Sequence, residues 1–300
     1  MNQTRLAQSA PAIRARQGSL RDYVVLCKPA SVALLVFVGV ASFLVGGRGQ
    51  ADLWPLAVVI LAGGAGSAGA NAASCWFDRD LDAAMTRTRG RPLPAGRIHP
   101  PERALQLGLA LMALALALSA TLGPAAVALM LLGELDYLLV YSVLLKRRSR
   151  WNIFWGSLSG GVPAMFGWLA ATGSVGWAPL LMAALVVLWI PSHIWTLAMY
   201  YADDYRRVAV PMLPAVDLTK AARCLACTAL LALLISLALA PVAGLGRSYV
   251  VVAAAAGLML AGGNLALALR PSRRAARLLF KLSGPYLVVV FTAMAVDAMG

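Results

Sequence analysis

Residues 74–94 read SCWFDRDLDAAMTRTRGRPLP and close an apolar run that begins near residue 54. Continued as a helix, the stretch places Asp78 and Asp82 four apart on one face, with Ser74 a turn earlier. Carboxylates this close at the mouth of an apolar phase repel each other. A divalent cation removes the conflict, and Mg2+ is commonly held by one or two carboxylates together with substrate phosphates. Arg87, Arg89, Arg91 and Arg97 follow, and guanidinium forks suit phosphate oxygens. The stretch therefore predicts a metal-diphosphate site at a membrane surface. The plainer alternative is a solvated helix end whose carboxylates pair with Arg79, Arg87 and Arg89.

The chain around it has 300 residues, 61% apolar and 13% charged, where soluble domains carry about 25% charged residues. Its mean hydropathy is +0.77. This composition excludes a soluble globular domain and predicts an all-α, polytopic membrane protein. Runs of about 20 apolar residues, the length that crosses the hydrocarbon core, fall near 30–47, 54–76, 104–121, 123–145, 152–173, 177–201, 222–243, 248–269 and 279–299, nine spans in all. Three are marginal: 30–47 is barely long enough, 123–145 carries Glu134 and Asp136, and 152–173 is rich in Gly and Ser. The net charge of +14 raises nucleic acid as a partner, but the basic residues cluster between spans, where topology accounts for them, and nucleic-acid binding is set aside. With the N-terminus cytoplasmic, only Arg48 and Arg247 of the 26 basic residues fall on the outer side. That bias predicts a cytoplasmic N-terminus and active site and an outer C-terminus.

Residues 1–21 are polar and basic without a cleavable signal, and are expected as a flexible cytoplasmic tail before a single transmembrane domain over 22–300. Cys224 and Cys227 sit in an apolar run with no neighbouring His or second Cys pair and read as packing. The glycine-rich stretches 62–70 and 156–161 allow helices to approach closely.

A second constellation is PSHIWTLAMYYADDY, residues 191–205, which brings His193, Tyr200 and Asp204 within reach of one face. An ionisable side chain inside a span points to function, although a lone histidine also serves packing. Asp203 and Asp204 would supply a second metal or diphosphate shell facing the first. The third group is Lys146, Arg147, Arg148 and Arg150, followed by Asn152. These cations suit a departing diphosphate, while a cytoplasmic loop requires basic residues in any case. Lys28, before Pro29, is either an interface anchor or a further cation for the site. Glu134 and Asp136 lie about ten residues deep in the fourth span with no partner assignable. There is no phosphate-binding glycine loop, paired-His zinc motif or serine elbow.

The pattern Ser74-x-x-x-Asp78-x-x-x-Asp82 resembles the first aspartate-rich motif of the UbiA superfamily of intramembrane prenyltransferases, N-x-x-x-D-x-x-x-D, and DRDLDAAMTRTRGRPL over 78–93 resembles that of its haem-modifying branch. The resemblance extends through DYVVLCKP (22–29), VYSVLLKRRSRWNI (140–153), GSLSGGVPAMFGW (156–168), DDYRRVAVPMLP (203–214) and RLLFKLSGPYL (277–287). It implies a nine-helix bundle around a central cavity in a bacterial or archaeal plasma membrane. The implied reaction is farnesylation of a haem B vinyl group from farnesyl diphosphate. Mg2+ would be held by Asp78, Asp82 and Asp203 or Asp204, with Ser74 nearby. Lys28, Arg79, Arg87, Arg91, Lys146, Arg147, Asn152 and Tyr200 would surround the diphosphate, and His193 would contact haem or handle a proton. Implied partners are the bilayer and a downstream haem-modifying enzyme or oxidase assembly factors. Two departures stand out: Ser74 occupies the usual Asn position, and Ala209 the usual Gly position. Rival readings are the same fold acting on an aromatic quinone precursor, and a haem or lipid carrier without turnover.

Overall fold

A computed structural model describes residues 18–300, and every regular element among them is helical. Residues 1–17 of the expected tail lie outside the described residues. The end of that tail is helical: Ser19 and Asp22 form a capping box that starts α1 at Leu20–Leu26. The chain continues with α2 (Pro29–Gly46), α3 (Leu53–Phe77), α4 (Arg79–Ala84), α5 (Glu102–Ala120) and α6 (Pro124–Leu135). A π-helix over Asp136–Leu145 extends α6. Beyond it come α7 (Asn152–Gly156), α8 (Leu158–Thr172), α9 (Trp177–Tyr200), α10 (Ala202–Arg207), α11 (Leu213–Val216), α12 (Leu218–Ala243), α13 (Arg247–Leu269) and α14 (Arg273–Met299).

Helix starts follow local chemistry. Asp52, Asp217 and Ser272 cap α3, α12 and α14 by accepting from backbone amides within the first turn. Pro29 and Pro124 open α2 and α6, where a missing N–H costs nothing. Among the described residues, eight helical segments are long and apolar enough to cross a bilayer. The ninth expected span, 152–173, is broken at Ser157 into α7 and α8. A broken helix at membrane depth leaves amides without partners, and here Asp136 answers one: its Oδ2 accepts from Ser159 N at 2.8 Å. The costly carboxylate in the fourth span is the cap of the fifth.

Close helix pairs rest on glycine. A methyl group on Gly69 of α3 would stand 2.6 Å from the Gly108 carbonyl oxygen of α5, so these backbones touch. Gly39 of α2 and Gly167 of α8 meet in the same way. The interior between α9, α12, α13 and α14 is apolar, with Trp189, Tyr249, Tyr286 and Phe291 buried in one cluster. Leu114, Leu230, Leu234, Val251 and Leu258 face outward, exposed. Such an apolar exterior on helices of this length identifies an integral membrane protein, since lipid covers those side chains.

Candidate active site

A cavity of about 470 Å³ runs between α2, α3, the π-helix, α8, α9 and α14. One end is polar, lined by Lys28, Asn71, Ser74, Asp78, Asp82, Arg87, Arg91 and Lys146. Leu34, Leu35, Met130, Val162, Phe166 and Ile190 line the rest, and Gly63 leaves open space in the wall.

The polar end is a set of matched charges. Lys146 Nζ donates to Asp78 Oδ2 in a short contact. Arg91 Nη1 donates to Asp82 Oδ2 at 2.8 Å. Lys28 Nζ donates to Asn71 Oδ1 at 3.1 Å, and the Tyr137 hydroxyl donates to the same oxygen at 3.0 Å. Ser74 Oγ lies 3.3 Å from Asp78 Oδ2 and accepts from Ser142 Oγ at 3.3 Å. Asp78 and Asp82 are both buried, and Asp78 Oδ1 has no hydrogen-bond partner among the described residues. Burial works against the charge on Lys146, but Tyr141 and Asp78 beside it raise its pKa above the ordinary value. Arg91 is likewise pulled down by burial and carried above its usual value by Asp82.

The local folding explains the convergence. Asn71, Ser74, Asp78 and Asp82 follow at spacings of three and four, and although α3 gives way to α4 at Asp78, the bonds Asp78 N to Ser74 O at 3.0 Å and Asp82 N to Asp78 O at 2.8 Å keep them on one stripe. Asn71 thus reaches the cavity from the turn before Ser74. In the π-helix, Tyr137, Tyr141 and Lys146 follow at four and five, the wider turn holding all three on the cavity side; Lys146 N donates to Tyr141 O, five residues back, at 2.8 Å. Lys28 stands at φ 54°, a left-handed conformation at the joint between α1 and α2.

Other expected site residues take different places. Arg79 stacks over Trp76 at 4.4 Å and is not on the cavity wall. Arg147 grips Asp80 with two nitrogens at 2.8 and 2.6 Å and holds its carboxyl below the usual range. Asn152 is fully buried, and its amide donates to the Lys146 carbonyl at 3.1 Å, supporting the lysine from behind. Tyr200 lies under Arg277, 4.9 Å from the guanidinium, outside the cavity wall. Asp203 is exposed and bound by Arg206 at 2.6 Å and by Arg273 at 2.6 and 2.9 Å. Asp204 is buried, with one oxygen accepting from Arg87 N at 3.1 Å and the other from Arg207 Nη1 at 3.2 Å. Neither of these aspartates lines the cavity. His193 does, beside Trp189 and Phe280. Among the described residues no three His, Cys, Asp or Glu side chains cluster as a metal cage. Glu134, also on the wall, is buried with Oε1 unpartnered.

A membrane bundle around a cavity that is charged at one end and mostly apolar beyond defines a protein suited to an amphiphile with an anionic head. Residues 34–284 match the UbiA prenyltransferase family, and the chain belongs to that family. It is 47% identical over 279 residues to a protoheme IX farnesyltransferase of Desulforudis audaxviator, covering 92% of this chain and 88% of that one. It is 36% identical to the protein of that name in Gloeobacter violaceus, covering 100% and 99%. A UbiA homolog from Aeropyrum pernix in its apo form superimposes with a TM-score of 0.73 at 22% identity, covering 90% of this chain and 98% of that one. A homolog from Archaeoglobus fulgidus, solved with DMAPP and Mg2+, superimposes with a TM-score of 0.64 at 16% identity, covering 92% and 99%.

Proposed function

We propose that the chain transfers the farnesyl group of farnesyl diphosphate to a vinyl group of haem B, forming haem O. The observation that carries the site assignment is the cavity in which Asp78, Asp82, Lys28, Arg87, Arg91 and Lys146 stand together at one end while most of the remaining wall is apolar. The likeness over nearly full length to proteins named protoheme IX farnesyltransferase supports the substrates.

The donor set fits Mg2+: two buried carboxylates, one of them with a free oxygen on Asp78, and no complete protein cage, as expected of a metal whose remaining ligands are substrate phosphates and water. Asp78 and Asp82 would hold it, with Ser74 and Asn71 beside them. When bound, Mg2+ neutralises charge on the leaving diphosphate. Lys146 and Arg91 exchange their carboxylates for diphosphate oxygens, joined by Lys28 and Arg87. The C1–O bond of the donor breaks, the electron pair leaves with diphosphate, and an allylic cation remains. The vinyl π electrons form the new C–C bond. Water adds to the resulting cation next to the porphyrin ring and releases one proton, giving a hydroxyethylfarnesyl group. The apolar wall keeps other water from the allylic cation.

The charged end faces the cytoplasm of a bacterial or archaeal plasma membrane, supported by the distribution of basic residues. The product passes to a haem-modifying enzyme or to oxidase assembly. Membranes containing the chain, incubated with farnesyl diphosphate, Mg2+ and either haem B or 4-hydroxybenzoate, test the acceptor. Farnesylated haem is expected. Prenylated 4-hydroxybenzoate without farnesylated haem would overturn the acceptor, and no prenylated product from either would favour a carrier.

A further inference from the structure

His193 belongs to the cavity wall, and the groups behind it decide which ring nitrogen faces inward. Nδ1 lies 2.8 Å from Ser283 Oγ. The same hydroxyl lies 2.8 Å from the Phe280 carbonyl oxygen, one turn back in α14. Two oxygens at that separation need a hydrogen between them, and a carbonyl has none to offer. The one hydroxyl proton is therefore committed to Phe280, and Ser283 Oγ accepts from the imidazole. This assigns the proton to Nδ1 and leaves Nε2 with a bare lone pair.

The ring is also held in place. Trp189 stacks on it at 4.8 Å and 19°, and the Phe280 ring lies 4.5 Å away at 31°. Trp189 Nε1 donates to the Ser283 carbonyl at 2.6 Å, which locks α9 to α14 at the depth of the histidine. Ser283 itself is fully buried. Nε2 makes no hydrogen bond among the described residues. Nε2 is thus the ring's one acceptor, on a residue of the cavity wall. A metal-ligating imidazole needs this arrangement, one nitrogen bare and the other donating to an oxygen.

We propose that His193 Nε2 ligates the iron of the porphyrin acceptor, with Ser283 as the positioning residue that sets the tautomer. The proposal rests on haem B being the substrate. Iron sits at the centre of a rigid macrocycle and the vinyl groups on its rim, so one axial bond fixes how far the reacting vinyl stands from α9. Recognition is then selective for the iron porphyrin over the metal-free one.

The test titrates purified full-length protein with haem B and, separately, with metal-free protoporphyrin IX, both without farnesyl diphosphate. Wild type is expected to bind both, and its ferrous carbonyl complex with haem B to absorb as a histidine-ligated haem. Ser283→Ala weakens haem B binding by about 10-fold, and His193→Gly by more than about 100-fold. Neither variant alters protoporphyrin IX binding, and added imidazole restores the ligated spectrum in His193→Gly. Equal losses for the two porphyrins, or a ligated spectrum persisting in His193→Gly without imidazole, overturn the proposal. Should the variants not fold, the wild-type carbonyl spectrum decides alone, the position of an unligated haem overturning it. Wild type that binds both porphyrins but does not distinguish them through His193 loses only the iron ligand; wild type that binds neither loses the haem acceptor as well.

Discussion

The two acidic stretches at helix ends, Asp78–Asp82 and Asp203–Asp204, look like equivalent halves of one site, yet their surroundings differ. Asp78 and Asp82 are buried on the cavity wall and paired with cations that are themselves partly sheltered. Asp203 stands in solvent between two arginines, and Asp204 turns away to hold the backbone of the arginine loop at Arg87. A carboxylate exposed to water and satisfied by guanidinium groups has little left to offer a metal. One whose second oxygen is buried and without a partner among the described residues, as in Asp78, still has an acceptor to offer.

Breaking the first half should have the largest effect. Asp82→Asn is expected to lower farnesyl transfer by about 1000-fold or more, because several kcal/mol of charge stabilisation are lost at the leaving group, while membrane insertion is unchanged. Product assay on membranes with matched protein levels checks it. Chelation of divalent cations from wild type should abolish transfer equally, with recovery on adding Mg2+.

Breaking the clamp should act on stability. Asp204→Ala leaves Arg87 N without its acceptor and is expected to cost about 1–3 kcal/mol, read as a lower thermal midpoint and faster proteolysis within residues 85–97. Burial opposes ionisation of Asp204, but the Arg87 N–H, the Thr86 hydroxyl and amide and the Arg207 guanidinium together outweigh it, and its pKa lies below the usual value. The clamp is therefore present above about pH 4 and lost as pH falls through the lower folded value. Asp203→Asn weakens only the exposed pairs with Arg206 and Arg273 and should leave the thermal midpoint nearly unchanged, with transfer unchanged within about twofold by the same assay. The smallest effect runs the other way. Ala209 has φ 53°, a left-handed conformation that disfavours a Cβ and favours glycine. Ala209→Gly should gain about 0.5 kcal/mol in thermal unfolding.

Much of this was legible in the residues. Apolar run length sets the spans, and the spacing 74, 78, 82 sets the first face. The π-helix was not legible, since no composition marks a five-residue turn, and with it Tyr137 and Tyr141 escaped the reading. Asp136 was unassignable because its partner is a backbone amide, Ser159 N, created by a break in another helix. Asn71 had a readable signal, three before Ser74 on the same stripe. Arg79 and Arg147 share the charge of Arg91 but not its direction: one lies on Trp76 and the other on Asp80. Charge clusters can be seen along a chain, whereas the side of the helix that carries them past the cavity depends on packing.

The account is tested most directly by the mass of haem extracted from cells that lack their own haem-farnesylating activity and express wild type, Asp78→Asn or Asp203→Asn. Farnesylated haem is predicted in wild type and Asp203→Asn, and haem B alone in Asp78→Asn. Farnesylated haem at wild-type levels in Asp78→Asn, or its loss in Asp203→Asn, would contradict the account.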